Sequence, residues 1–261
     1  LSIIGTGLGN FVLSLITQDL INSIGWRWTL RYITLIGTFF LLIAMFCLKR
    51  RLPTDITGGI FGDSKIIKNY NFRLICAADF CSVMGFFVPF VHLIPWLNDI
   101  GFQAYIGYKS IGIIGIGGVV GRLVTSFVID KFDTIKVYRI TLLCSGLILI
   151  IWPFIMYSKL VIYLISFMYG FTSGGFVANI PVVMAKFFGV KRIAGISGYK
   201  NIVIIPAALF GTPLAGFIRD YSGSYNISFV TAGTFMLIGY VVLLFLDTND
   251  TDENRDNVVD V

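Results

Sequence analysis

The sequence predicts an all-α, multi-pass membrane protein, and three observations carry that fold class. Hydrophobic residues fill 56% of the 261 positions and charged residues 13%, about half the ~25% usual in soluble domains. The mean hydropathy is +0.86, which leaves too few polar residues to give every helix a solvated face. The apolar residues also fall into eight runs, each near the ~20 residues that cross a bilayer core at about 1.5 Å per residue. The same numbers exclude a disordered chain, whose mark is low hydrophobicity. A secreted disulfide scaffold is excluded too. Cys47, Cys76, Cys81 and Cys144 all lie in apolar runs without metal-ligand or redox spacing. They read as small buried hydrophobes, and neither a cofactor nor a metal is expected.

The spans are expected at 1–24, 30–48, 74–97, 105–129, 140–157, 160–185, 193–218 and 227–246. Connections are short except for 49–73, a polar, basic stretch with Pro53, Gly58, Gly59 and Gly62. The expected organisation is two helices in 1–48, a cytoplasmic central loop at 49–73, a six-helix bundle in 74–246 and an acidic, solvated tail at 247–261. Residue 1 is Leu with no charged segment before it, so no signal peptide is read and the chain looks like part of a longer protein.

Lys and Arg orient the helices. With 49–73 placed in the cytoplasm, 13 basic residues fall on that side and 5 on the other, while Arg122 and Lys200 lie inside spans. The net charge of +6 is therefore a topology signal: the expected partner is the lipid bilayer, not nucleic acid. Trp26, Trp28, Trp96 and Trp152 fall near the outer ends of their spans, as an interfacial aromatic belt would place them. Two Asn-X-Ser/Thr patterns occur. Asn226-Ile-Ser228 abuts a span and Asn249-Asp-Thr251 lies in the tail, so both are expected to stay unglycosylated.

Glycines cluster inside spans: Gly5, Gly7 and Gly9; Gly112, Gly115, Gly117, Gly118 and Gly121; Gly170, Gly174 and Gly175. Helices in lipid have no hydrophobic drive to associate, so small faces that let backbones approach matter more. None of these runs completes a dinucleotide fingerprint. Six of the seven prolines, Pro89, Pro95, Pro153, Pro181, Pro206 and Pro213, lie within spans. Each removes a backbone donor, and the freed carbonyl needs a partner in protein or in a water-filled cavity. A bundle that opens alternately to two sides can use such breaks.

Asp79, Arg122 and Lys200 are the intramembrane charges. Each costs at least ~2.5–3.5 kcal/mol at mid-membrane, so each is expected to face a cavity or a partner. All three lie about seven residues, roughly 10 Å, from the cytoplasmic ends of their helices. They are expected to converge on one polar site: Arg122 and Lys200 as a positive wall, Asp79 partly neutralising it, with an anionic substrate such as a carboxylate held in the Arg fork. Structural readings stand beside these. Lys200 can snorkel to the interface, Asp79 can pair with a neighbouring helix, and His92, in the outer half of its span, can pack through a hydrogen bond or act on substrate or protons.

These residues carry a family resemblance. Gly5-Thr-Gly7-Leu-Gly9 followed by Gly25-Trp26-Arg27, then Pro89-Phe-Val-His92-Leu-Ile-Pro95, then Gly121-Arg122 through Asp130-Lys131-Phe132, resemble the fifth, seventh and eighth helices of monocarboxylate transporters of the major facilitator superfamily. Gly211-Thr-Pro213-Leu-Ala-Gly216 and Asp220-Tyr-Ser-Gly223-Ser-Tyr225 are similar to the end of the eleventh helix. The resemblance implies a major facilitator-type bundle, with about eight of twelve transmembrane helices in this chain and the missing N-terminal half as its partner. It implies alternating-access transport of a small-molecule substrate, a carboxylate, often with a proton, at the plasma membrane. An accessory membrane protein is a further partner the family allows. It gives Arg122 the substrate carboxylate, with Lys200, Asp79 and His92 nearby. Asp130, Gly117, Gly121, Pro89, Pro213 and Gly216 fall to gating and helix geometry. Where proton-linked members carry an Asp, this chain has Gly118, so Asp79 would have to supply a compensating carboxylate. The alternatives are a facilitative carrier without proton coupling, an inactive fragment, and a multi-pass receptor. Eight spans and six helical prolines fit a receptor poorly. An enzyme is not expected, because no nucleophile–base or metal constellation is visible.

Overall fold

The structure, a computed structural model, describes residues 19–47, 64–155, 158–189 and 193–247, with positions 9, 13, 16 and 17 before them. The helices are α1 (Trp26–Cys47), α2 (Ser64–Lys68), α3 (Tyr70–Phe86), α4 (Val88–Asp99), α5 (Ala104–Ile129), α6 (Thr134–Ile151), α7 (Lys159–Phe188), α8 (Ile193–Ser222) and α9 (Tyr225–Leu244). A 3-10 turn, Trp152–Phe154, extends α6. Seven helical segments among the described residues are long and apolar enough to cross a membrane, with α3 and α4 forming one of them. Most of the span expected at 1–24 lies outside the described residues, as do residue 48 at the end of the second span, 49–63 of the central loop and 248–261 of the tail.

Local chemistry sets the boundaries. Asn69 accepts the Phe72 amide and starts α3, so the last residues of the stretch expected as loop (49–73) form the first helical turn. Asp133 caps α6 through the amides of Ile135 and Lys136. This starts the helix six residues before the expected span at 140. Ser158 and Ser224 cap α7 and α9 in the same way. Gly25, at φ +78°, allows the chain to turn into α1, and Thr29 closes that turn by donating to the Gly25 carbonyl at 2.9 Å.

The six spans from α3 onward form a ring in the order α5, α7, α6, α9, α3, α8, with α4 bridging α5 and α8. The tightest seam joins α5 to α7. A methyl on Gly117 would strike the Phe167 carbonyl, one on Gly121 the Phe171 carbonyl, one on Gly170 the Ile114 carbonyl, and one on Gly174 the Gly118 backbone. The two G-x-x-x-G pairs are thus facing halves of one contact, and backbone touches backbone as packing in lipid favours. Buried hydroxyls bond within their own helices: Ser82 to Ala78, Ser110 to Ile106 and Ser166 to Ile162. This leaves no polar atom of theirs facing hydrocarbon.

One expected span is broken. Residues 74–97 form α3 and α4, separated at Phe87. Pro89 has no N–H to close onto Gly85, and the Phe87 amide turns back to that carbonyl instead. Tyr169, fully buried on α7, donates to the Phe86 carbonyl at 2.8 Å.

The aromatic belt needs correction. Trp26 and Trp28 are exposed, with Arg27 and Arg31 over their rings, but Trp96 and Trp152 are sealed in the bundle. They pack on each other and on Phe229, and Trp96 donates to the Asn226 side chain at 3.0 Å. At the outer end of this half, tryptophan is core.

Gly170→Val should lower stability by about 1–3 kcal/mol through overpacking. Gly198→Ala, which meets nothing within 4 Å, should not lower it and can raise it by up to about 1 kcal/mol, because alanine is the better helix former. Thermal unfolding of the two variants in detergent measures the contrast.

Candidate functional site

Asp79 sits on α3, nine residues after Tyr70, on a face closed by α9. Gly239 of α9 lies against Ala78 and Ser82 there. The Asp79 side chain is 0% exposed. One carboxylate oxygen accepts the Tyr138 hydroxyl from α6. The other is 3.1 Å from the Lys200 ammonium of α8, itself 6% exposed. Tyr138 is held by stacking on Phe176 of α7, with ring centroids 5.5 Å apart. Cys76, one turn earlier on α3, is also buried nearby.

The structure thus brings Asp79 and Lys200 together, in a dry contact and not at an open wall. Lys200 does not snorkel; its charge turns inward. The Asp79 oxygens bond Tyr138 and Lys200, and Arg122 is carried on a different helix, α5. It is half-buried on α5, seven residues from Ile129. Tyr138 was not legible as a site residue, because the span was expected to begin at 140 and left it in the cytoplasmic turn. The only available signal was Asp133, a good N-cap one turn before it.

Gly118, one turn before Arg122, is buried against α7, and a methyl there would meet the Gly170 carbonyl at 3.6 Å. His92 binds the Thr212 carbonyl at 2.9 Å, packs against Gly216 and lies 5.5 Å from the Tyr225 ring. It fastens α4 to α8 beside Pro213, and Arg219 pairs with Asp99 at 3.1 Å across the same two helices. Pro89 forms the first turn of α4 at the Phe87 break. Asp130 is exposed at the end of α5. The tie at that turn is instead Asp133, whose carboxylate lies 2.7 Å from Lys186 of α7. Burial pushes the Asp133 carboxyl up, but the Lys186 hydrogen bond and the amides of Lys136 and Ile135 outweigh it and hold the group below the ordinary carboxylate range. Among the described residues, no cluster of His, Cys, Asp or Glu could hold a metal.

A broken, proline-bearing helix and a buried charge network inside an apolar bundle are features of a membrane carrier. The Major Facilitator Superfamily model matches residues 1–204, and the chain belongs to that superfamily as an integral, multi-pass membrane protein. It is similar to Monocarboxylate transporter 13 of Bos taurus and of Rattus norvegicus, 28% identical over 251 and 257 residues, covering 94% of this chain and 58% of each relative. An MFS-type transporter of Gibberella moniliformis is 25% identical over 239 residues, covering 91% of this chain and 58% of that one. The chain therefore spans a little over half the length of the curated relatives it matches. The fucose:proton symporter FucP of E. coli shares the fold, with a TM-score of 0.67 at 17% identity over 88% of this chain and 61% of that chain.

Removing one partner of a buried ion pair strands the other charge, at a cost of about 3–5 kcal/mol. Asp79→Ala should show that loss in detergent unfolding, and Asp79→Asn with Lys200→Met should recover at least half of it. The Asp133 contribution carries the sign of a depressed carboxylate. It is present at neutral pH and lost as pH falls from about 4 through the lower folded value. The melting-temperature gap between wild type and Asp133→Asn should therefore close on acidification.

Proposed function

We propose that the protein containing this chain carries small organic anions of the monocarboxylate type across a membrane, the plasma membrane by family likeness, through alternating access. The observation that carries this reading is the half-buried guanidinium of Arg122 within α5, seven residues before the cytoplasmic end of that helix. A guanidinium offers a carboxylate two parallel N–H donors, and the glycine seam fixes the helix that presents it. The names of the relatives support the substrate class, since two of them are monocarboxylate transporters. His92 and Pro213 act in this reading through helix geometry: they set how α4 and α8 meet at the outer end.

Gly118 favours a second reading for the coupling. With no side chain at that position, α5 has no carboxylate one turn from Arg122, as a facilitative carrier would have it. An accessory membrane protein remains a proposal from family likeness alone.

The test is uptake of radiolabelled pyruvate and lactate by the full-length protein in proteoliposomes. Arg122→Gln should lower uptake at least ten-fold. Arg122→Lys should recover only part of it, because an ammonium keeps the charge and loses the fork. Wild-type uptake by Arg122→Gln would overturn the assignment.

A further inference from the structure

Hydroxyls at the surface of the spans bond their own helices. Ser126 donates to the Arg122 carbonyl at 2.8 Å, Thr231 to Ile227 at 2.8 Å and Thr234 to Val230 at 2.9 Å. Asn201, eight residues after Ile193 on α8, is different. It is exposed and makes no hydrogen bond to any described residue. A bare carboxamide is costly against lipid tails, so its position calls for water, a solute or another polar group.

Helix geometry says which way it faces. Thr212 and Arg219 follow Asn201 by 11 and 18 residues, about three and five turns, so the three share one face of α8. At the outer end that face meets α4: the Thr212 carbonyl binds His92, and Arg219 pairs with Asp99 at 3.1 Å. Lys200, about 100° round the helix, turns instead to Asp79 of α3. The bridge from α8 to α5 is α4, which begins at the Phe87 break; on the cytoplasmic side of the break the same span, as α3, packs on α9 and α8. At the level of Asn201, the face that α4 covers further out is left open toward α5. On α5, Gly107 lies against Ile94 of α4, and Arg122 follows it by 15 residues, about 60° round the helix. Arg122 is seven residues from the cytoplasmic end of α5 and Asn201 eight from that of α8, so both lie roughly 10–12 Å deep. A guanidinium and an amide thus stand at one depth on the two walls below α4.

We propose that Asn201 is a specificity-determining substrate contact, its amide hydrogen-bonding the 2-oxo or 2-hydroxyl oxygen of a short monocarboxylate whose carboxylate lies on Arg122. The proposal rests on the carrier reading above and narrows its substrate class to 2-oxo and 2-hydroxy acids. The division of labour follows from the two groups. A guanidinium only donates, which suits a carboxylate, whereas a carboxamide donates through its NH2 and accepts through its carbonyl. Asn201 can therefore donate to a keto oxygen and accept from a hydroxyl, without changing the charge of the site. Ile205, one turn further on and exposed, offers an apolar surface for the methyl end. An acid of equal length with no oxygen at carbon 2 leaves the amide unpaired and is disfavoured on that account.

The experiment uses the full-length protein in proteoliposomes and measures inhibition of labelled pyruvate uptake by unlabelled lactate and propionate, two three-carbon acids that differ at carbon 2. In the wild type, lactate should inhibit at about a tenth of the propionate concentration. Asn201→Leu should raise the lactate inhibition constant about ten-fold and leave that of propionate within about two-fold, as the loss of one hydrogen bond implies. A merely structural role would shift both acids together. Equal inhibition by the two acids in the wild type, a common shift in Asn201→Leu or no shift at all would overturn the proposal. Asn201→Cys, in protein free of other cysteines, gives a second readout that does not depend on the leucine variant assembling. The introduced thiol should react with a membrane-impermeant thiol reagent, and pyruvate should slow the reaction; an unreactive or unprotected thiol overturns the contact. Pyruvate uptake by the wild type with an unchanged lactate preference in Asn201→Leu sinks the Asn201 contact alone. A wild type that carries no monocarboxylate sinks the carrier reading, and this contact with it.

Discussion

A carboxylate in the core of a bilayer has no water to lean on, and Asp79 shows what that demands. Its two oxygens need donors, and they come from two other helices, Tyr138 of α6 and Lys200 of α8. One side chain on α3 therefore constrains the approach of both neighbours. Phe176 of α7 holds Tyr138 in turn, so four of the six spans share in satisfying a single charge. Such a network adds little net stability over an apolar core. What it adds is dependence: none of its members can leave without stranding another.

The glycine seam between α5 and α7 has the opposite character. It contains no charge, and its tightness comes from backbone touching backbone at Gly117, Gly121, Gly170 and Gly174. A contact of that kind has no titratable part and no long side chain that can rotate away. It gives the bundle a rigid side on which Arg122 is carried. On the other side, α8 is held by discrete polar ties.

The outer end is built from aromatic mass. Trp96, Trp152 and Phe229 pack together beneath the Asp99–Arg219 pair, and His92 joins α4 to α8 there. The Phe87 break isolates this end from α3 without leaving the Phe86 carbonyl bare, because the Tyr169 hydroxyl reaches across from α7 and donates to it. The break is thus a stable feature of the bundle and not a defect in it.

Much of this was legible in the amino-acid sequence. The membrane class, the positions of the described spans and the packing role of the G-x-x-x-G pairs follow from composition and spacing, because bilayer thickness and helix rise leave few alternatives. Asp79, Arg122 and Lys200 stood out because a charge in an apolar run is costly wherever the helix sits. Their grouping did not follow. Depth along a helix is set by residue count, but the direction a side chain faces depends on which helices surround it. Only the tertiary structure separated Arg122 from the Asp79–Lys200 pair, recruited Tyr138 from a turn that looked cytoplasmic and moved Trp96 and Trp152 from the interface into the core. Those choices belong to the packing of six helices, and periodicity along one helix carries no information about the others.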